Sequence, residues 1–89
     1  MNTYATLISA IDEHALSVVN SLYGSRRNAG DVTDDILRTA GLEPPAGTSR
    51  TFQMLTAHTI NALRPYGVRA TGHGPGGWPT LSLTARPTR

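Results

Sequence analysis

The side chains best suited to chemistry in this chain are arginines, and their placement is uneven. All eight basic residues are arginine and lysine is absent. Residues 1–43 carry every acid (Asp12, Glu13, Asp31, Asp34, Asp35 and Glu43) against Arg26, Arg27 and Arg38, a net of −3. Residues 44–89 carry Arg50, Arg64, Arg69, Arg86 and Arg89 with no acid, a net of +5. Local potential, rather than the modest total of +2, is what draws a polyanion. A guanidinium offers a planar fork of donors that matches phosphate and the edge of guanine. The exclusive use of arginine fits a GC-rich coding sequence as well as it fits selection for such contacts.

Other chemistries find little material. His14, His58 and His73 stand apart, without HExxH or any paired metal-ligand spacing. Cysteine is absent, which removes disulfides and thiolate metal sites. No Gly-x-Ser-x-Gly elbow occurs, and the glycine-rich run Gly72–Gly77 has no lysine with which to make a phosphate loop. A core this small also leaves little volume for a substrate cleft. The expectation is a protein that is not an enzyme, with no cofactor, no metal and no small-molecule substrate. Trp78 could stack on a ligand, but a tryptophan entering a strand in so aromatic-poor a chain reads better as a core anchor.

The elements that must position the arginines follow from periodicity. The length of 89 residues predicts a single domain over 1–85, with a loose basic tail at 86–89. Apolar residues never run more than two in a row and no leader pattern opens the chain, so a cytoplasmic protein with no membrane span is expected. From Thr3 to Tyr23, Tyr4, Leu7, Ile8, Ile11, Ala15, Leu16, Val19 and Leu22 recur at steps of three and four, the stripe of an amphipathic helix capped by Asn2 or Thr3 and ended by Gly24. Gly24–Gly30 is polar and reads as a loop. A second helix is expected from near Val32, capped by Thr33, with Asp34 and Asp35 in its first turn and Gly41 at its end. Pro44, Pro45 and Gly47 make residues 42–48 a stiff connector.

Thr48 or Ser49 then caps a third helix running to Leu63, stopped by Pro65 and Gly67. Phe52, Leu55, Thr59, Ile60 and Leu63 take its inner side. Arg50, Gln53, Ala57, Asn61 and Arg64 take the outer one, which holds no acid. An ordinary solvated helix face normally mixes signs; a groove-reading face needs donors to phosphate and base edges, and nothing that repels the backbone. Beyond Gly67 the period changes to two, so Val68–Thr71 and Thr80–Leu83 read as a hairpin with a glycine-rich tip, from which Arg69 and His73 could reach a phosphate backbone. The expected class is α+β, mainly α: three helices followed by a C-terminal β-hairpin wing.

The stretch Val32-Thr33-Asp34-Asp35-Ile36-Leu37 through Gly41-Leu42, then Arg50, then Leu63-Arg64-Pro65-Tyr66-Gly67-Val68-Arg69 and a hairpin with Trp78, resembles the small winged helix modules of phage, plasmid and other mobile-element proteins. The resemblance implies double-stranded DNA as partner, contacted by the third helix and the wing through Arg50, Gln53, Asn61, Arg64 and Arg69, to which the reading of the glycine-rich tip adds His73. It also implies a role in transcription regulation or as a replication or recombination accessory. The seven-residue linker departs from the three- or four-residue turn of a compact helix-turn-helix. The first helix is long, about 20 residues, and its stripe suggests a homodimer contact that would bring two half-sites together. A rival reading gives the same scaffold a host or replication protein as its partner, since fold does not fix function.

Overall fold

A computed structural model describes residues 3–72 and 77–83. Its elements run in the order α1 (Tyr4–Leu22), β1 (Arg26–Asn28), α2 (Ala29–Thr39), α3 (Arg50–Leu63), a 3-10 turn (Arg64–Tyr66), β2 (Arg69–Thr71) and β3 (Thr80–Ser82). The result is a small, mainly helical α+β fold. Among the described residues no helix is long and apolar enough to cross a membrane.

Local chemistry accounts for the helix ends. Thr3 caps α1 by accepting the Thr6 N–H at 3.1 Å, and Ser49 caps α3 by accepting the Phe52 N–H at 3.1 Å. The second helix departs from the sequence expectation. It starts at Ala29, not near Val32, and its cap is Asn28, whose side-chain oxygen accepts the N–H groups of Gly30 at 2.8 Å and Asp31 at 3.3 Å. Asp31, not Asp34 or Asp35, therefore sits in the first turn, where the helix dipole favours an anion.

Thr33, expected as that cap, is instead fully buried. Its hydroxyl lies 2.9 Å from both the Ala29 carbonyl and the Thr59 hydroxyl, while Thr59 donates to the Leu55 carbonyl at 3.0 Å. Two helices thus share a satisfied polar contact inside an apolar core, where an unpaired hydroxyl would be costly.

The loop expected at Gly24–Gly30 is also revised, because residues 26–28 form a strand. The sheet is three-stranded and antiparallel in the order β1-β3-β2, not a two-stranded hairpin alone. Backbone bonds fasten the β1 segment at both ends, from Gly24 N–H to the Leu83 carbonyl and from Ala29 N–H to the Pro79 carbonyl, each 2.9 Å. Gly24 makes its turn at φ 74°, in the left-handed region that favours glycine.

One apolar core joins the layers. Ile11 and Leu22 of α1, Val32, Ile36 and Leu37 of α2, Leu55 and Leu63 of α3, and Leu81 of β3 are all buried within it. Trp78 is half-buried against this cluster and meets Phe52 edge to face, centroids 5.7 Å apart at 71°, in keeping with an anchoring role. Most of the α1 stripe is used internally; of its expected members only Tyr4 and Leu16 stay exposed. The connector between α2 and α3 spans residues 40–49. It is closed by turns at both ends, Leu42 N–H to the Leu37 carbonyl and Ser49 N–H to the Ala46 carbonyl, each 2.9 Å.

Candidate functional site

The site residues expected on the third helix all lie on its solvent side. Arg50, Gln53, Ala57, Asn61 and Arg64 are exposed, while Phe52, Leu55, Thr56, Thr59 and Leu63 are buried. At 3.6 residues per turn the exposed set falls in a stripe roughly 100° wide, opposite the buried set. The helical trace continues through Arg64, whose φ of −57° and ψ of −41° are helical, so Arg50 and Arg64 stand about 21 Å apart along the axis. The stripe also holds Met54, 49 % exposed, between Arg50 and Ala57. Sequence patterning gave Met54 no role; its exposure could have been found by placing it on the same helical projection as the arginines. Met54 and Ala57 add exposed apolar area between the polar ends.

Arg69 opens β2 on the exposed edge strand, five residues after Arg64. The intervening turn closes at Gly67, which adopts φ 90° and donates its N–H to the Arg64 carbonyl at 3.0 Å. That left-handed residue is what lets the chain leave α3 and enter the sheet at once. His73, Arg86 and Arg89 lie outside the described residues, so three of the five C-terminal guanidiniums are placed: Arg50 on α3, Arg64 at its C-cap where the 3-10 turn begins, and Arg69 on β2.

Charge pairing separates the arginines further. Arg27 of β1 is bonded to Asp35, and Arg38 to Asp34 at 2.8 Å, both carboxylates coming from α2. The hydrogen bond that Arg38 donates to Asp34 raises the Arg38 pKa above its ordinary value. Among the described residues, Arg26, Arg50, Arg64 and Arg69 have no carboxylate partner. Every acid sits on α1, α2 or the connector, and none on α3 or any strand. Among the described residues, the ion pair that reaches α3 is at its flank, where Asp12 of α1 meets His58 at 2.7 Å, a pairing that spacing along the chain did not suggest.

An open groove of about 720 Å³ lies beside the first turn of α3, lined by Gly47, Thr48, Gln53, Gly77 and Trp78. Among the described residues no three His, Asp or Glu side chains gather as a metal site. Chemically, the arrangement offers hydrogen-bond donors and positive charge along one helix, continued onto a strand. Comparison with protein-family models, with curated proteins and with solved structures finds no match.

Proposed function

We propose that this chain is a winged helix module that binds double-stranded DNA, with α3 in the major groove and the β2–β3 hairpin as the wing. The supporting outline is three helices followed by an antiparallel hairpin, to which β1 adds a third strand. An α-helix with its side chains is about 10–12 Å across and the major groove about 12 Å wide, so one helix face can present its donors to base edges. The observation that carries the reading is the acid-free outer stripe of α3, with Arg50 and Arg64 unpaired near its two ends and Gln53 and Asn61 between them. Arginine pairs with guanine O6 and N7, and Gln or Asn with adenine N6 and N7. Such a module would act in transcription regulation, or as a replication or recombination accessory, of a phage- or plasmid-type element.

The test is duplex binding followed by fluorescence anisotropy across a salt series. The wild-type chain is expected to lose affinity steeply with salt, with a log–log slope of about 0.9 per phosphate neutralised. The Arg50→Ala, Arg64→Ala double variant is expected to bind at least about tenfold more weakly on any sequence, as loss of two charge-assisted contacts implies. Absence of binding at low salt would overturn the proposal and favour a protein partner.

A further inference from the structure

We infer that the outer face of the three-stranded sheet is a second contact for the nucleic-acid backbone, in which Arg26 and Arg69 grip phosphate oxygens from either side of Ser82. This rests on the DNA-binding reading of α3 and lengthens its track by a residue from the acid-bearing half of the chain. The register is the starting point: Arg26 of β1 and Arg69 of β2 both lie directly opposite Ser82 of β3. Directly opposed residues in antiparallel strands put their side chains on the same face. Leu81, between Thr80 and Ser82, is fully buried, so its two neighbours point away from the helices.

The outward face is thereby defined as Arg26 and Asn28 on β1, Thr80 and Ser82 on β3, and Arg69 and Thr71 on β2. It contains no acid and no large apolar residue. Arg26 and Arg69 are exposed and, among the described residues, have no carboxylate partner. Two interstrand spacings separate their backbones by about 9–10 Å, with a hydroxyl between them. Flexible guanidinium stems on either side of a serine can converge on one phosphate or hold two neighbouring ones, each fork donating to two oxygens.

The Arg26-Arg27 pair makes the division clear. The period of two in a strand sends Arg27 to the inner side, where it joins Asp35 of α2, and leaves Arg26 facing outward with no such partner. A linear polyanion suits this placement better than a small phosphate would. In chain and strand order the arginines without a carboxylate partner follow α3, the turn at Gly67, β2 and then, across β3, β1. A free phosphate would use only the last two.

The experiment measures duplex affinity against salt for the wild-type chain, Arg26→Gln, the Arg50→Ala, Arg64→Ala double variant and Arg38→Gln. The last removes an equal charge from an arginine already engaged by Asp34. Arg26→Gln is expected to lower the magnitude of the log–log salt slope by about one, which shrinks the affinity lost between about 50 and 200 mM salt roughly 3.5-fold. Its thermal midpoint should match wild type, and the slope for Arg38→Gln should stay at the wild-type value. An unchanged slope for Arg26→Gln, with binding lost in the α3 double variant, overturns the sheet contact and leaves the α3 reading standing. Equal losses for Arg26→Gln and Arg38→Gln also overturn it, because total charge alone would then explain the effect. A wild-type chain that does not bind duplex overturns both.

Discussion

A single missing methyl group sets the position of the aromatic anchor. Gly30 is buried in the first turn of α2, and a Cβ built there would stand 2.8 Å from both Cδ1 and Nε1 of Trp78. The indole can yield only by shifting its edge-to-face contact with Phe52. Alanine normally improves a helix over glycine by about 1 kcal/mol, yet here the added atom collides with a rigid ring. Gly30→Ala is therefore expected to destabilise the fold by about 1–3 kcal/mol, the usual range for overpacking. The emission of Trp78, the chain's one tryptophan, should shift as the ring is displaced. A variant more stable than wild type with unchanged emission would mean that the indole is not seated on Gly30. At this scale the α3 site residues were readable, because each is polar on an apolar-striped helix. Arg26 was not, because an arginine in a polar stretch carries no sign of which way a strand will turn it.

Among the elements, α1 and α3 announce themselves through apolar residues at steps of three and four, bounded by capping hydroxyls at Thr3 and Ser49. The start of α2 and the whole of β1 do not. β1 is Arg26, Arg27 and Asn28, with no apolar side chain to alternate, and its pairing comes from residues 80–82, more than fifty positions away. Gly30 just inside α2 looks like a loop residue until Trp78 supplies the reason for it. Thr33, polar and followed by two acids, carries the outward signs of a cap while being a core residue. The two assignments differ in measurable ways. Asn28→Ala should cost about 1 kcal/mol, within the 0.5–2 kcal/mol typical of a lost N-cap. Thr33→Val, nearly the same shape, should cost about 0.5–1.5 kcal/mol through its buried hydrogen bond to Thr59, and a Thr33→Val, Thr59→Val double variant should lose less than the sum of the two singles. Strict additivity in urea denaturation would show that the hydroxyls do not interact.

Across the whole molecule, the described carboxylates lie on α1, α2 and the connector, while the described arginines without a carboxylate partner lie on α3, the turn that follows it, β1 and β2. The apolar surface left on α1 is small. Its exposed large apolar side chains are Tyr4 at the start and Leu16, 60 % exposed, in the second half. A two-fold contact through α1 would be seated there. Leu16→Glu should then leave the thermal midpoint near wild type while light scattering shows dimer giving way to monomer. A wild-type monomer at high micromolar concentration would remove the two-fold contact, and a dimer indifferent to Leu16→Glu would place it on another surface. β3 is both the middle strand and the last of the three in chain order, and β1 and β2 touch it but not each other. Losing it would not trim a border; it would strip both neighbours at once of the one strand that each pairs with among the described residues. A chain can coil its helices from local contacts, yet it holds Arg26 and Arg69 in common alignment only once Thr80–Ser82 has paired with both β1 and β2, so any grip made by the sheet waits on that one distant segment.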